Sequence, residues 1–356
     1  MNKAFKILLV MAIMQCSLSS CGKDLSKTVS YKEFEKVVEL TPSLTVLDVR
    51  TPDEFAAGHI PGAINIDYYD TDFAQKVKET VPADNSIALY CKSGNRSAKA
   101  GEILKDAYNN IIELGGGILA WEKGGLPVTT GNMDIYFTNE GKDIKIEPLI
   151  HASIRMIYDG KEIEIDPVGN LGGRTTDYSK FPKADLILVT HEHHDHLDPA
   201  AIKDLSDNDT IVITNPNSAA ILGYGEVMKN GDSKEIKGIK IDAVPAYNVS
   251  EDRLQFHPKG RDNGYVLTLG NIRIYVAGDT EVIPEMAELK GIDIAFLPCN
   301  LPYTMTPDQL IKAAEIIKPK VVYPYHYGTT DLSSIIPALA PQDIYVRICP
   351  FDPGAN

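Results

Sequence analysis

The densest chemistry in this 356-residue chain is the run His191-Glu192-His193-His194-Asp195-His196-Leu197-Asp198. Imidazoles and carboxylates at H-x-H-x-D-H spacing converge on a cation, and such mixed nitrogen and oxygen donors suit zinc, iron or manganese better than calcium. The run follows the apolar segment 186–190, which reads as a strand, so it occupies a loop at a strand end, where α/β-type sites are built. A second constellation is Cys91-Lys92-Ser93-Gly94-Asn95-Arg96-Ser97, between an apolar strand at 86–90 and a helix starting near Arg96. Backbone N–H groups at a helix start carry partial positive charge and lower the pKa of a thiol placed there. Lys92 and Arg96 add charge. Cys91 is therefore expected to be a nucleophilic sulfur in an anion-binding cradle lined by Lys92, Ser93, Gly94 and Asn95.

The elements that must position these groups fall into two sets. Ser30-Tyr31-Lys32-Glu33 and Thr51-Pro52-Asp53-Glu54 are capping boxes, the second with proline at the first helical position. Strands alternate with helices over residues 28–130, which implies a parallel sheet covered on both faces. Residues 131–142, with Gly131, Asn132, Asn139 and Gly141, read as a linker or connecting hairpin. From 143 to 356 the pattern is strand-rich, at 144–150, 154–158, 163–165, 186–190 and 211–214. A capped helix follows Thr306-Pro307-Asp308-Gln309. The fold class is α/β, and the length suits two domains. A formal charge of −14 without a basic stripe argues against nucleic acid as a partner.

The N-terminal motifs resemble the rhodanese family. Besides the Cys91 loop, Leu47-Asp48-Val49-Arg50, Gly58-His59-Ile60-Pro61-Gly62-Ala63 and the segment 116–128 with Trp121 stand in that family's order. The resemblance implies a parallel α/β sandwich. It also implies a Cys91 persulfide, loaded from a sulfane-sulfur donor with help from Arg96 and discharged to an acceptor thiol. Asp48 and Arg50 would brace the fold, and His59 would lie on a surface loop. The loop from Cys91 to Arg96 is shorter than that of cysteine phosphatases, which favours sulfur over phosphate. The alternative is a rhodanese fold kept as a binding or spacing module without turnover.

The C-terminal motifs resemble the metallo-β-lactamase superfamily, in the layout of the group containing ascorbate-6-phosphate lactonase and N-acyl phospholipase D-like enzymes. His151-Ala152-Ser153, Ile165-Asp166-Pro167, Gly278-Asp279-Thr280 and His326 after the apolar strand 321–325 support it. The resemblance implies an αββα sandwich holding two zinc ions, with iron or manganese as the other metals such donors accept. His191 and His193 would bind the first metal, Asp195, His196 and His326 the second, and Asp279 would bridge. Asp195 or Asp279 would orient the attacking hydroxide. The third ligand of the first metal is open between His257 and Asn248, since asparagine stands where many relatives carry histidine; His257 is favoured. His151 and Tyr303 are expected to line a small-molecule pocket, with His194 pointing away. The implied activity is hydrolysis of an ester, lactone, amide or phosphodiester. Two rivals are a persulfide dioxygenase with a single iron and a protein acting mainly as a sulfurtransferase.

The first residues read as a leader. Lys3 and Lys6 precede an apolar run at 7–14 that is too short to span a bilayer. Leu18-Ser19-Ser20-Cys21 then resembles a bacterial lipobox. This implies a signal at 1–20, lipid on Cys21, a tether at 21–27, and a cell-envelope protein held on a bacterial membrane, facing the periplasm or exterior. Cys16 would leave with the signal. Cys91, Cys299 and Cys349 then make no disulfide framework.

Overall fold

The computed structural model describes residues 26–41 and 43–351. The expected signal and Cys21 lie outside the described residues. Among the described residues no helix is long and apolar enough to cross a membrane, and Cys91, Cys299 and Cys349 are free thiols. The chain divides into two compact units. Among the described residues, one takes in those up to Phe55 with Gly62–Ala120, and the other Ala56–Pro61 with those from Trp121.

The first unit runs β1 (Ser26–Val29), α1 (Tyr31–Leu40), β2 (Leu44–Asp48), α2 (Pro52–Ala56), β3 (Ile64–Asn65), α3 (Phe73–Thr80), β4 (Ser86–Tyr90), α4 (Asn95–Leu104) and β5 (Ile111–Leu114). Its sheet has the order β1-β5-β4-β2-β3 and is parallel throughout. Ser26 and Lys27, expected in the tether, belong to β1. Both expected capping boxes are present: Ser30 Oγ accepts from Glu33 N, and Glu54 Oε2 accepts from Thr51 N at 3.1 Å. Leu47, Val49, Ile87, Leu89, Ala100 and Leu104 form the core between sheet and helices. Asp48 and Arg50 make the expected brace, a buried ion pair with Nη2 2.6 Å from Oδ2.

After α5 (Gly117–Lys123) come β6 (Val128–Thr130), β7 (Met133–Phe137), β8 (Asp143–Pro148), β9 (Ile154–Tyr158), β10 (Lys161–Ile165), β11 (Asn170–Leu171), β12 (Arg174–Thr175), β13 (Leu186–Leu188), α6 (Pro199–Leu205), β14 (Ile211–Thr214), α7 (Pro216–Leu222) and β15 (Glu226–Val227). β16 (Ser233–Ile236), β17 (Ile239–Ala246), β18 (Asp262–Leu269), β19 (Ile272–Val276), β20 (Ile294–Pro298), α8 (Pro307–Ile317), β21 (Val321–Tyr325), α9 (Ile335–Leu339) and β22 (Tyr345–Val346) complete the second unit. Its two large sheets have the orders β15-β14-β13-β10-β9-β8-β7-β6 and β16-β17-β18-β19-β20-β21-β22. Each is antiparallel on one side and parallel on the other. The sheets meet through Tyr265, whose hydroxyl donates to Val189 O at 2.8 Å, and through the buried pair Tyr136–Tyr323. α6 lays Ala201, Ile202 and Leu205 on Ile187 and Val189, and α8 buries Leu310, Ala313, Ala314 and Ile317. This is the expected αββα sandwich.

Two expectations change here. The linker at 131–142 is folded: β7 pairs antiparallel with β6 and β8, so the segment is part of a sheet. Its polar residues hid this, because Asp134 is buried and accepts from Tyr323 Oη at 2.8 Å and Arg347 Nε at 2.8 Å. Residues 128–130, expected in the first domain, join the same sheet. There Thr129 bridges to His59, which is half-buried and strand-paired where a surface loop was expected.

Candidate functional site

Three overlapping groups of metal-type donors lie in the second unit: His191, His193 and His257; His191, His196 and Asp279; and His151, Asp195, His196 and His326. Most come from loops at the C-terminal ends of strands. His191 to His196 follow β13, Asp279 follows β19, His326 follows β21 and His257 stands between β17 and β18. His151, in the turn between β8 and β9, completes the set. Asp198 accepts from Ala200 N and caps α6, which ends the histidine loop on a fixed helix. Gly278 lets the turn carrying Asp279 lie close against β18: it has φ 64°, and a Cβ there would stand 2.7 Å from Asn263 O.

Asp279 is the hub. Its Oδ2 lies 3.3 Å from His257 Nε2, 3.3 Å from His326 Nε2 and 3.9 Å from His191 Nε2, and its Oδ1 lies 3.4 Å from His196 Nε2. His193 Nδ1 stands 3.0 Å from His191 Nε2. Asp195 Oδ2 lies 3.4 Å from His326 Nε2, 4.0 Å from His196 Nε2 and 3.2 Å from His151 Nε2. His196 Nε2, His257 Nε2, His326 Nε2 and Asp279 Oδ1 are buried without a hydrogen-bond partner. Buried polar atoms are rarely left so. Orphaned nitrogens aimed at a shared carboxylate fit a divalent cation that takes nitrogen and oxygen donors.

The backs of two rings, His191 and His196, are held. Asp166, after β10, accepts from Thr190 N at 2.7 Å and Thr190 Oγ1 at 2.7 Å, and its Oδ2 lies 2.8 Å from His196 Nδ1. Thr190 Oγ1 also stands 3.0 Å from His191 Nδ1. The Thr190 hydroxyl gives its proton to Asp166, so it accepts from His191 Nδ1–H, which leaves His191 Nε2 as a bare donor. Such outer partners fix tautomer and ring orientation in metal sites. Asp166, His151 and His326 have φ of 45°, 58° and 50°, left-handed values that are strained for these residues.

Electrostatics agree. Burial and the neighbouring His196 push His191 well below its ordinary value. Burial and His326 take His151 down to about 4. Burial would raise the carboxyls, yet His326 and His196 hold Asp279 well below the carboxylate range, and His151 and His326 do the same for Asp195. His196 is the exception. Burial opposes its charge, but Asp279 and Asp166 outweigh it and raise its pKa well above normal. A cation taken up among these groups must displace protons.

Against the sequence expectations, His191, His193, Asp195, His196, His257, Asp279 and His326 are brought together. Asn248 is not a cluster member: its side chain is engaged by His257 Nδ1 at 2.7 Å and Tyr303 O at 2.8 Å. His151, expected towards substrate, packs into the cluster with its ring centroid 3.7 Å from that of His326. His194 is exposed, its side chain 89% accessible. Tyr303 is 44% exposed and meets Phe256 edge-on. Asp166 and Thr190 were missed as supports; Asp166 stood in a quoted motif and Thr190 directly precedes His191.

In the first unit Cys91 directly follows β4 and is buried. Gly94 N donates to its Sγ at 3.1 Å and Ser97 Oγ lies 3.6 Å away. Burial would raise the thiol, but Ser97 and the backbone of Ser97, Ser93 and Gly94 outweigh it and lower its pKa. Lys92, Ser93 and Asn95 are exposed around it. Ile118 N donates to Cys91 O at 2.9 Å, an approach open only to glycine at 117, where a Cβ would fall 2.4 Å from that oxygen. Arg96 stands close enough for its charge to act on Cys91, as expected, but it has a partner that was not foreseen. Its guanidinium is committed to Glu54, with Nη1–Oε2 at 2.7 Å and Nη2–Oε1 at 2.9 Å, so it buttresses the loop while the backbone faces the sulfur. Glu54 was missed because it was read only as a capping residue.

Residues 145–326 match the family described as Beta-lactamase superfamily domain, and residues 30–124 the Rhodanese-like domain. A UPF0173 metal-dependent hydrolase of Thermococcus onnurineus (strain NA1) is 35% identical over 203 residues, covering 52% of this chain and 85% of the relative. Another, from Bacillus pumilus (strain SAFR-032), is 34% identical over 191 residues, covering 50% and 83%. A crystal structure of a candidate metal-dependent hydrolase from Parabacteroides distasonis ATCC 8503 is 50% identical. It covers 61% of this chain and 97% of that one with a TM-score of 0.59.

Proposed function

The chain belongs to the beta-lactamase superfamily, in the UPF0173 metal-dependent hydrolase family, and on that premise we propose that its second unit is a di-zinc hydrolase of a small ester, lactone, amide or phosphodiester. The observation that carries this reading is the convergence of the orphaned nitrogens of His196, His257 and His326 on Asp279. His191, His193 and His257 would hold one ion, Asp195, His196 and His326 the other, and Asp279 both. Two zinc ions bound there supply Lewis acidity and lower the pKa of a bound water towards neutrality. Asp195 moves the proton. Its side chain is 22% accessible, against 3% for Asp279 and none for Asp166, so it can exchange with solvent or a leaving group. The likeness of the motifs to lactonase and N-acyl phospholipase D-like enzymes makes lactones and phosphodiesters the first substrates to screen.

Elemental mass spectrometry on the purified chain, with His193→Ala as control, tests this. About two zinc per chain, reduced in the variant, is expected. About one iron per chain would favour the persulfide dioxygenase reading, which the full set Asp195, His196 and His326 argues against.

The first unit is proposed to carry sulfur on Cys91, loaded from a sulfane-sulfur donor and passed to a thiol. The lowered thiol and the donors around it support this. Anchoring in the cell envelope through lipid on Cys21 is a further part of the reading. It fails if Cys21→Ala takes up radiolabelled palmitate as well as the parent chain does.

A further inference from the structure

We propose that Asn248 is a positioning residue that fixes the tautomer of His257 and ties this ligand to the Tyr303 loop; the inference rests on the metal-site reading above. Asn248 and His257 are both buried in the loop between β17 and β18, and Asn248 N donates to His257 O at 2.8 Å. The Asn248 side chain lies between two partners. Its Nδ2 donates to the carbonyl of Tyr303 at 2.8 Å, and its Oδ1 stands 2.7 Å from His257 Nδ1. A backbone carbonyl can only accept, so the Tyr303 contact fixes which end of the amide faces the ring. The oxygen must face His257, and an oxygen there requires the proton on Nδ1. His257 Nε2 is then a bare lone pair, and it is the atom that has no hydrogen-bond partner and points at Asp279 Oδ2.

The same amide also touches the loop beyond β20, which has other ties to the β17–β18 loop. Arg253 Nη1, in the β17–β18 loop, reaches Thr304 O at 3.3 Å and Glu281 Oε1 at 2.9 Å, and Phe256 meets the Tyr303 ring at 5.0 Å. Glu281 Oε2 accepts from Val249 N and Ser250 N, both at 2.7 Å. The loop is thus anchored to the segment carrying Asp279 whether or not Asn248 is present. What Asn248 adds is the direction of one ring.

Two variants separate the halves of this role. Asn248→Asp keeps an oxygen towards His257 Nδ1 and loses the donor to Tyr303. Asn248→Leu has similar volume and loses both. Zinc affinity is measured by competition with a chromogenic chelator, and the absorption spectrum of the cobalt-substituted protein is recorded alongside. Asn248→Leu is expected to bind zinc about ten- to a hundred-fold more weakly, with an altered cobalt spectrum, whereas Asn248→Asp stays within a few-fold of the parent. Wild-type affinity in Asn248→Leu, or an equal loss in both variants, overturns the proposal. A parent chain that binds no zinc overturns the metal-site reading itself.

Discussion

Every group that tunes the Cys91 sulfur lies within six residues of it, whereas the donors of the metal cluster are gathered from His151 to His326. The thiol loop works mainly with backbone N–H groups, joined by the Ser97 hydroxyl, so a strand, a tight turn and a helix start place them. The cluster works with side chains from several loops, and three of its rings have a partner behind them: Asp166 for His196, Thr190 for His191, Asn248 for His257. A site made of backbone is local and tolerant of side-chain change, while a site made of side chains depends on contacts far apart in sequence.

The largest expected effect tests that dependence at its hub. Asp279→Ala should weaken zinc binding by more than the roughly ten- to hundred-fold typical of an outer partner, because Asp279 faces four imidazoles. Cys91→Ser should abolish sulfur transfer from thiosulfate to cyanide and leave zinc content unchanged. If either variant also removes the other activity, the two sites are not independent. Next comes Asp166→Ala, which touches no metal donor position but removes the carboxylate behind His196. Chelator competition should show about a ten- to hundred-fold loss of affinity. Unchanged affinity would mean that sheet packing alone aims the ring.

The same contrast explains what was legible in the sequence. The thiol loop and the run His191 to His196 are contiguous, and their residue types state their chemistry. Both capping boxes and the strand–helix alternation were equally local. Asp279 and His326 were found only through the resemblance, since one carboxylate or imidazole after a strand is unremarkable by itself. Asn248 stayed open beside the favoured His257 because asparagine at a ligand-like position can be a ligand or a ligand's support, and its contact with the Tyr303 carbonyl, fifty-five residues away, is not legible in the sequence. The hairpin at 131–142 was hidden because Asp134 looks like a loop residue until Tyr323 and Arg347 are seen to satisfy it. Arg96 was read as facing the anion because its partner Glu54 is forty-two residues distant.

A smaller effect concerns the thiols. Cys91 is lowered from the ordinary 9.0, while burial pushes Cys299 up to about 12 and Cys349 also upward. A thiol reacts as thiolate, so a lower value brings reactivity at lower pH. Native-state alkylation with iodoacetamide, read by mass spectrometry from pH 6 to 9, should therefore label Cys91 first and leave the other two unmodified. Ser97→Ala should slow Cys91 labelling near neutrality by on the order of tenfold, as expected for loss of a hydrogen bond to a charged group. Equal rates would assign the lowered value to the backbone alone.

The smallest effect belongs to the Arg96–Glu54 pair, which is partly exposed, its side chains 16% and 29% accessible. Glu54 is drawn from 4.5 to about 2, first by its hydrogen bonds with Arg96. A depressed carboxylate contributes stability that is fully present above its unfolded value and is lost as the pH falls through the folded one. The contribution should therefore persist at pH 5 and fade between about 4.5 and 2. With screening, Glu54→Gln should cost no more than about 1 kcal/mol at neutral pH and nothing near pH 2, measured by urea unfolding at both. Sulfur transfer should fall only modestly, since the donors to Cys91 are the Ser97 hydroxyl and backbone groups, not Arg96. A collapse of transfer at unchanged stability would instead place the Arg96 charge on the sulfur itself, and the thiol loop would then depend on distant side chains as the metal cluster does.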